Sequence, residues 1–582
     1  MKLSQYLLVA LGFSSSANAE RIGDGWGTNI HWTREPVAGE AAQLAQAFKL
    51  ARMDFSWSQI EKTCGEYNFS SYDDLLSTME EHGVRPYWIL DYGNPCYPPA
   101  PEPQVDCTTR EKCEATCQEY FNTCDDGWYY CCAKDPQAPT GCTLEHSCAS
   151  KPTLNSCACG NGTAPKPPPP PASGNAGCDT PECIEAFGKF AAAAADHFKG
   201  HGIIWECLNE PNGMGNDNST TIAALCLSAG KPLAAVGEHF VGPATSGIDM
   251  PYLDGAMAAG ILAAFDAVSV HPYRSTAPDT VLSDYVSLRA LIDSHGKTPA
   301  QKALPILSGE WGYTSASLPC NYGNRVDELT QACFLSRMWL SNVLSGISIS
   351  INYDWSDGTG GASDCESHFG SVRQPPVANR SENPYDPKPK YTAALVLQQS
   401  LGNFERYEGR ISPVEVHPTT LPPNNVFVLQ FDNSTESGSN GAVADAQGFA
   451  VWTNGSVVQG TCSAPGHPSP AGWTRLDCGY EGISEDECLS PQNPKGPGCC
   501  WEPNVSTVGG PQCYWPQLPT ATDMNVSFKV NSTSAPSACW NVVGMLGDAY
   551  GQTCAGSDGV VEVHVPQLQG ATHNAPVYLL PQ

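Results

Sequence analysis

The chain has 582 residues, of which 41% are hydrophobic and 15% charged. This length suits roughly two to four folded domains, and the apolar content excludes a wholly disordered chain. Sixty acidic residues against 30 basic ones give a formal net charge of −30, which repels nucleic-acid phosphates and anionic membrane surfaces. We therefore expect that this protein does not bind nucleic acid and does not insert into a membrane.

The N-terminus has the pattern of a secretory signal. An apolar run, Tyr6–Phe13, follows Lys2, and Ala17-Asn18-Ala19 has the small-x-small spacing of a signal peptidase site. The sequence therefore predicts removal of residues 1–19, and no later segment is expected to cross a membrane. The 27 cysteines and the N-x-S/T sequons suit a secreted, glycosylated protein, in which cysteines form disulfides rather than metal sites. Because the cysteine count is odd, one thiol is left unpaired or links two molecules.

Apolar runs alternate with helical patterns over residues 20–402. Strands are predicted at 26–31, 51–57, 84–92, 202–209, 240–246, 265–273, 304–311 and 346–355, and helices at 39–49, 71–82, 180–199, 219–236, 250–262, 279–295, 324–342 and 389–402. Such alternation predicts a parallel sheet, either closed or doubly wound. We favour an α/β fold of the (β/α)8 TIM barrel type, because chemically able residues follow many different strands and no dinucleotide-binding glycine motif follows the first.

The connection after the third strand is unusually long. Residues 95–183 are cysteine-rich and end in a proline-rich spacer at 165–171, which makes this segment a functional loop or a small module. The segment either has a structural role only, held together by disulfides, or forms a wall of the substrate cleft. The second alternative follows because loops after barrel strands lie on the catalytic face.

Beyond residue 402 the pattern changes to short strands with period-two alternation. They are predicted at 426–431, 448–453, 525–530, 542–546, 560–565 and 577–580. The pattern predicts an antiparallel β-sandwich domain formed by residues 403–460 and 517–582. Cys539 and Cys554 could staple one of its hairpins, and the cysteine cluster at 461–516 is an insertion.

Two glutamates follow strands on different sides of the predicted barrel. Glu210 lies in Asn209-Glu210-Pro211 after the fourth strand, and Glu310 lies in Gly-Glu-Trp-Gly at the seventh. Cleavage of a glycosidic bond requires such a pair, one carboxylic acid to protonate the leaving oxygen and one carboxylate to attack the anomeric carbon. For the acid we expect a raised pKa, through burial or a neighbouring carboxylate.

These motifs resemble those of the clan of retaining (β/α)8 glycoside hydrolases, in particular its family 5 and family 39 members, over residues 25–402 apart from the insertion. The resemblance implies Glu210 as acid/base, Glu310 as nucleophile and Asn209 as a donor to the sugar 2-hydroxyl. It further implies Arg52 beside the nucleophile. The remaining implied substrate-binding residues are His271 and Tyr273 of the sixth-strand motif, with Tyr273 holding the nucleophile, and Trp355, whose indole would lie under the reacting sugar.

Two further polar residues follow predicted strands. His31 ends the first strand and Asn94 follows the third, so both are candidates for binding sugar hydroxyls. Cys207 precedes Glu210 closely, but no partner motif for a cysteine nucleophile exists, and a buried or disulfide-linked cysteine is the better interpretation.

The inserted cluster resembles the P-type trefoil module through Arg475-x-Asp-Cys478-Gly and the adjacent pair Cys499-Cys500. The family pattern implies Cys462–Cys488 or Cys462–Cys499 as its first bridge. The module could bind glycans through its aromatic residues, or serve as a structural staple.

The sequence thus predicts a secreted retaining β-glycosidase that hydrolyses an oligo- or polysaccharide without metal or organic cofactor. Two alternatives remain: a glycan-binding or adhesion protein with an inert barrel, and a transglycosylase with the same two carboxylates. Neither the sugar nor the linkage follows from the residues, because subsite loops rather than the fold set substrate choice.

Overall fold

The structure is a computed structural model, and it describes only part of the chain. The described residues are 21–98, 129–131, 143–145, 178–213, 218–318, 320, 322–378, 383–417, 425–432, 447–453, 484–489, 500–503, 513–514, 524–530, 538–566 and 575–582. The predicted signal peptide and most of the cysteine-rich insertion therefore lie outside them.

Eight parallel strands close into a barrel, as the sequence predicted. They are β1 (Trp26–Asn29), β2 (Leu50–Ser56), β3 (Arg85–Asp91), β4 (Ile204–Cys207), β5 (His239–Ser246), β6 (Ala267–His271), β7 (Ile306–Trp311) and β8 (Ser350–Asn352). Consecutive strands are neighbours throughout, and β8 pairs with β1. Small and branched apolar side chains such as Leu50, Ile204 and Leu307 fill the barrel below the mouth, as expected for a packed barrel core.

An outer ring of helices covers the barrel. Its main members are Glu40–Ala47, Ser70–Glu81, Pro181–His197, Ser219–Val236, Met250–Ala258, Leu282–His295, Glu328–Leu344 and Pro389–Ser400, with short helices at Trp57–Ile60 and Pro299–Lys302. Each of the eight main helices begins near the position that the periodicity predicted, whereas the two short helices were not predicted. Large aromatic side chains fill the space between the helices and the barrel. Phe55 of β2, for example, stacks on Trp88 of β3 and on Phe190 of the helix Pro181–His197.

One described helix, Ser219–Val236, is long and apolar enough by composition to cross a membrane, a property that the sequence analysis did not assign to any segment after the signal. In the fold it belongs to the outer ring. The disulfide Cys207–Cys226 ties it to β4, which confirms the interpretation of Cys207 as a structural cysteine.

A C-terminal antiparallel domain follows the barrel. Its strands are β9 (Arg406–Ile411), β10 (Pro413–His417), β11 (Val426–Asp432), β12 (Gln447–Thr453), β13 (Met524–Lys529), β14 (Cys539–Gly544), β15 (Ala549–Cys554), β16 (Val560–Val565) and β17 (Val577–Pro581). They form a six-stranded and a three-stranded sheet. Valines and aromatic residues from both sheets share one core, so the predicted sandwich is confirmed.

The Cys539–Cys554 bridge joins directly opposed residues of β14 and β15, which confirms the predicted staple of a hairpin. Three strands, β9, β10 and β15, were not predicted. Two small antiparallel strand pairs lie outside the barrel and the sandwich. One pairs Tyr129–Cys131 with Thr143–Glu145, and the other pairs Cys500–Trp501 with Cys513–Tyr514. A short helix spans Glu485–Leu489.

The sandwich packs on the barrel through a buried polar contact. Asp279, which precedes the helix Leu282–His295, accepts hydrogen bonds from Nε of Arg337 at 3.0 Å and from Nε1 of Trp452 at 2.7 Å. Trp452 belongs to β12, and its ring stacks on Phe427 of β11. Because all three polar partners are buried, this contact joins the two domains with its charges paired.

Candidate active site

Glu310 lies at the end of β7 and is held by three donors. Its Oε2 accepts hydrogen bonds from Nδ2 of Asn29 at 2.7 Å and from Nη1 of Arg52 at 2.6 Å. Its Oε1 accepts one from the hydroxyl of Tyr273 at 2.8 Å. Three donors, one of them cationic, fix the orientation of this carboxyl group. The contacts of Arg52 and Tyr273 match the roles that the resemblance implied, whereas Asn29 was not predicted.

Arg52 connects several strands below the mouth. Its Nε donates to Oε2 of Glu206 at 2.7 Å, and its Nη2 donates to Oδ1 of Asn209 at 2.9 Å. Burial by itself would lower the pKa of Arg52, but the charges of Glu206 and Glu310 outweigh burial and raise it. Arg52 is therefore a permanent cation that positions other groups. At 1% exposure it does not bind substrate directly, contrary to its inclusion among the substrate-binding residues.

Glu206 is the clearest site residue that sequence reasoning missed. Its side chain is fully buried, and its Oε1 accepts hydrogen bonds from the hydroxyls of Tyr87 at 2.7 Å and Ser269 at 2.6 Å. The available signal was a lone glutamate inside an apolar parallel strand, two residues from the inward-facing Ile204 and therefore on the same face. Glu206 supports Arg52, which in turn supports Glu310.

Glu210 follows β4 in a strained backbone conformation, with φ of 45°, a feature that clusters at functional sites. Its Oε1 lies 2.9 Å from Nδ1 of His271. On the other side of the ring, Nε2 of His271 lies 3.2 Å from Nη2 of Arg52. Since arginine can only donate, Nε2 accepts, and Nδ1 carries the hydrogen that is donated to Glu210. His271 is fully buried, so it positions Glu210 and does not contact the sugar as predicted.

The expected upward pKa shift of Glu210 is not found. Burial raises the pKa of Glu210, but the hydrogen bond and charge of His271 and the hydroxyl of Ser246 outweigh burial and bring it below its ordinary value. Burial and a second carboxylate were the reasons for that expectation, whereas the donors on β5 and β6 are not part of the Asn209-Glu210-Pro211 motif. The geometry favours Glu210 as a carboxylate.

One ligand-type atom each of Glu210, His271 and Glu310 lies within 4.8 Å of the other two. Such a trio could bind a metal by distance alone. Its surroundings do not suit a cation, because the guanidinium of Arg52 contacts both His271 and Glu310, and the protonated Nδ1 of His271 has no lone pair to offer.

Two predicted sugar contacts are wrong. Trp355 is 1% exposed, and its Nε1 donates to Glu40 at 2.8 Å, so the indole packs outward against the helices and cannot stack on a sugar. Asn94 is also buried. Its side-chain Nδ2 donates hydrogen bonds to the backbone oxygens of Trp57 at 3.4 Å and Glu61 at 3.1 Å, so Asn94 stabilises the backbone at these two residues.

His31 does lie at the mouth, as predicted. Its ring is exposed, with Nε2 at 3.4 Å from the buried carboxyl of Asp354. The hydrogen bond with Asp354 is the largest cause that raises the pKa of His31, against the lowering effect of burial. Asn209 also stays at the site, and because Arg52 binds its amide oxygen, its nitrogen is the donor end that the predicted contact with a sugar hydroxyl requires.

An aromatic wall formed by Tyr322, Tyr353 and Phe369 flanks the site and was not predicted. The ring of Phe369 lies 6.2 Å from Tyr273, 5.3 Å from Tyr353 and 6.0 Å from Tyr322. Glu366 accepts hydrogen bonds from both Tyr353 and Tyr322. Tyr322 is 47% exposed. An exposed ring at this position suits the C–H face of a sugar.

Solved structures share this architecture. A family 39 glycoside hydrolase from the gut symbiont Bacteroides cellulosilyticus WH2 matches with a TM-score of 0.54 and 15% identity, over 97% of this chain and 81% of that one. The GH39 enzyme from Xanthomonas axonopodis pv. citri matches with a TM-score of 0.49 and 12% identity, over 97% and 96%. A GH30 endoxylanase from Clostridium papyrosolvens C71 gives 0.47 and 10%, over 97% and 98%. At 15% identity the first match shows a common fold.

The sequence model of the P-type trefoil domain matches residues 469–516, which confirms the predicted module. The described bridge Cys488–Cys513 excludes the Cys462–Cys488 pairing, and the Cys462–Cys499 alternative lies outside the described residues. A search of curated protein sequences gives no significant match.

Proposed function

We propose that this protein is a secreted retaining β-glycosidase, which hydrolyses O-glycosidic bonds of an oligo- or polysaccharide with Glu310 as nucleophile and Glu210 as acid/base. One observation carries the proposal: a carboxylate oxygen of Glu210 and one of Glu310 lie within 4.8 Å of each other. Inverting enzymes hold their carboxyl groups about 6.5–9.5 Å apart to admit a water, whereas retaining enzymes hold them about 5–5.5 Å apart.

In the first step Glu310 attacks the anomeric carbon while Glu210 protonates the leaving oxygen. The donors Asn29, Arg52 and Tyr273 orient Glu310 for this attack. For this step Glu210 must carry a proton although His271 favours its carboxylate. Its second oxygen can carry that proton while Oε1 still accepts from Nδ1 of His271.

In the second step the ester at Glu310 no longer bears a negative charge. Glu210, now a carboxylate that His271 stabilises, takes a proton from water, and the resulting hydroxide equivalent attacks the anomeric carbon. Glu310 leaves as a carboxylate, and its three donors stabilise the charge that returns. Two displacements retain the configuration of the sugar.

Several features support secretion and a carbohydrate substrate. Described disulfides such as Cys64–Cys96 and Cys320–Cys365 suit an oxidising compartment. The fold is one that a family 39 glycoside hydrolase uses, which is an argument by analogy. We further propose that the trefoil module anchors the enzyme to glycans.

The test is Glu310→Gln, assayed on 4-nitrophenyl β-glycosides and on β-linked glucan, mannan, xylan and galactan. We expect wild-type turnover and a loss of at least a thousandfold in the variant with unchanged circular dichroism. Proton NMR of a fresh digest should show the β-anomer first. A wild type without turnover would favour the alternative of a glycan-binding protein with an inert barrel. Saccharide products longer than the substrate would favour a transglycosylase. An α-anomer that appears first would exclude a covalent intermediate.

A further inference from the structure

A second pair of carboxyl groups lies at the mouth of the barrel, apart from Glu210 and Glu310. Asp54 belongs to β2 and Asp91 ends β3. Asp91 is fully buried, and among the described residues no hydrogen-bond partner is found for either of its carboxyl oxygens. A buried carboxylate without a donor is unfavourable by several kcal/mol or more, so this group needs an explanation.

The neighbouring carboxyl group of Asp54 explains how Asp91 can be buried without a donor. Burial, and after it the charge of Asp54, raises the pKa of Asp91 well above its ordinary value. The two residues lie on the interior faces of neighbouring paired strands, so a protonated Asp91 can donate its hydrogen to Asp54, because two close carboxyl groups share one proton. The hydroxyl of Tyr92 approaches Asp54 on another side, at 3.4 Å from Oδ2. Asp91 and Tyr92 thus position Asp54 as a hydrogen-bond acceptor.

The strand geometry directs this carboxylate toward the reacting sugar. Side chains alternate along β2, so Asp54 points to the barrel interior like Arg52, one layer nearer the mouth. Unlike Arg52, Asp54 is only partly buried. Its charge contributes to the raised pKa of His31, which places it near the exposed ring at the end of β1. We therefore expect the hydroxyls of a sugar bound at Glu310 to reach His31 and Asp54.

We propose that Asp54 is a further substrate-binding residue that accepts hydrogen bonds from hydroxyls of the sugar on the non-reducing side of the scissile bond, with Asp91 as its positioning residue, and that this sugar carries no carboxylate. The inference rests on the proposed glycosidase function. A uronic acid would meet Asp54 and the nearby Asp354, while the donors of Arg52 are engaged by Glu206, Glu310 and Asn209. Like charges at this range disfavour binding.

The experiment measures kcat and KM of wild type, Asp54→Asn, Asp91→Asn and Asp91→Leu. The substrates are the 4-nitrophenyl β-glycosides of glucose, galactose, mannose, xylose and glucuronic acid. Asp293→Asn is the control, because Asp293 is exposed on an outer helix with only a 3.9 Å ion pair to Arg289. Circular dichroism melting verifies that each variant is folded.

We expect Asp54→Asn to lower kcat/KM on the best neutral glycoside at least tenfold, mainly through KM, since a charge-assisted hydrogen bond is lost. The ratio of glucuronide to neutral kcat/KM should rise at least tenfold. Asp91→Asn should stay within threefold of wild type, because its amide still donates to Asp54, whereas Asp91→Leu should resemble Asp54→Asn in KM.

The outcomes separate the two proposals. A wild type inactive on these glycosides and on the β-linked glucan, mannan, xylan and galactan named above would overturn the glycosidase function and this inference with it. An active wild type with Asp54→Asn within twofold of it on neutral sugars, or with an unchanged glucuronide ratio, would overturn the role of Asp54 alone. Equal losses in Asp91→Asn and Asp91→Leu would overturn the positioning role of Asp91.

Discussion

At the scale of single residues, the two glutamates differ in what surrounds them. Glu310 is bound by donors that do not titrate near neutrality: an amide, a guanidinium and a phenol with a pKa raised by burial and by Glu310 itself. Glu210 is bound by an imidazole, and it is the more accessible of the two at its side chain. One carboxyl group is therefore fixed by several donors, and the other is more open to substrate and water, which is the difference that double displacement needs between nucleophile and acid/base.

Removal of the acid/base should affect substrates unequally. Glu210→Ala should slow natural saccharides by at least a hundredfold but spare activated aryl glycosides in the first step, because nitrophenolate leaves without a proton. Azide should then accelerate release of the glycosyl group from Glu310. The measurements are kcat on both substrate types and product analysis with added azide. Equal losses without a glycosyl azide would move the acid/base role elsewhere.

Ser246 offers a test through pH. Its hydroxyl is among the donors that lower the pKa of Glu210 against the effect of burial. Ser246→Ala removes that donor, so the pKa of Glu210 rises and the protonated acid persists to higher pH. The alkaline limb of kcat/KM should therefore shift upward, while the acid limb set by another group stays in place. The pH profile of both proteins checks this, and a downward shift would contradict the assignment.

At the scale of elements, the barrel strands were predictable because each is a short apolar run with polar residues just beyond it. The missed strands lack that pattern: β15 (Ala549–Cys554) is mostly exposed, and a disulfide rather than an apolar face secures it. The site divides in the same way. Residues at strand ends were found from motifs. Glu206 on β4 was missed because its importance depends on Arg52 of β2, which lies 154 residues earlier in the sequence.

Trp355 shows the opposite error. Strand β8 ends at Asn352, so alternation does not extend to residue 355, and the loop turns the indole outward to Glu40. Tyr353 instead lies beside the reacting groups, with its ring 5.8 Å from His31. A motif gives the residue type, but the loop conformation decides which ring faces the sugar.

The Cys320–Cys365 bridge joins the loops that follow β7 and β8 and thereby fixes the aromatic wall, since Tyr322 and Glu366 are its near neighbours. The double variant Cys320→Ser/Cys365→Ser should raise KM for saccharides about three- to tenfold with little change in kcat for aryl glycosides, because the wall loosens while the carboxylates stay in place. Cys539→Ser/Cys554→Ser, which opens a hairpin of the sandwich, is the matched control. Equal KM changes in the two variants would exclude a specific role for the wall.

At the scale of the whole molecule, barrel and sandwich share one continuous hydrophobic core that includes Phe427 and Trp452 of the sandwich. The catalytic mouth is built by the strand ends of the barrel, whereas the sandwich contacts the barrel near Asp279 and Arg337. We therefore expect the sandwich to act on stability, and the chemistry to depend on the barrel.

Asp279 allows that expectation to be tested. Asp279→Asn removes the buried counter-charge of Arg337 and weakens the acceptor of Trp452, and an unpaired buried charge costs about 3–5 kcal/mol. The free energy of unfolding from urea titration should fall by about that amount, with tryptophan fluorescence reporting both domains. Asp284→Asn is the control, because its pair with Arg274 at 3.1 Å is partly exposed and such pairs contribute about 0–1 kcal/mol. Turnover well below the unfolding transition should stay near that of wild type, since Asp279 contacts neither glutamate. A loss of activity without a loss of stability would mean that the sandwich takes part in the chemistry after all.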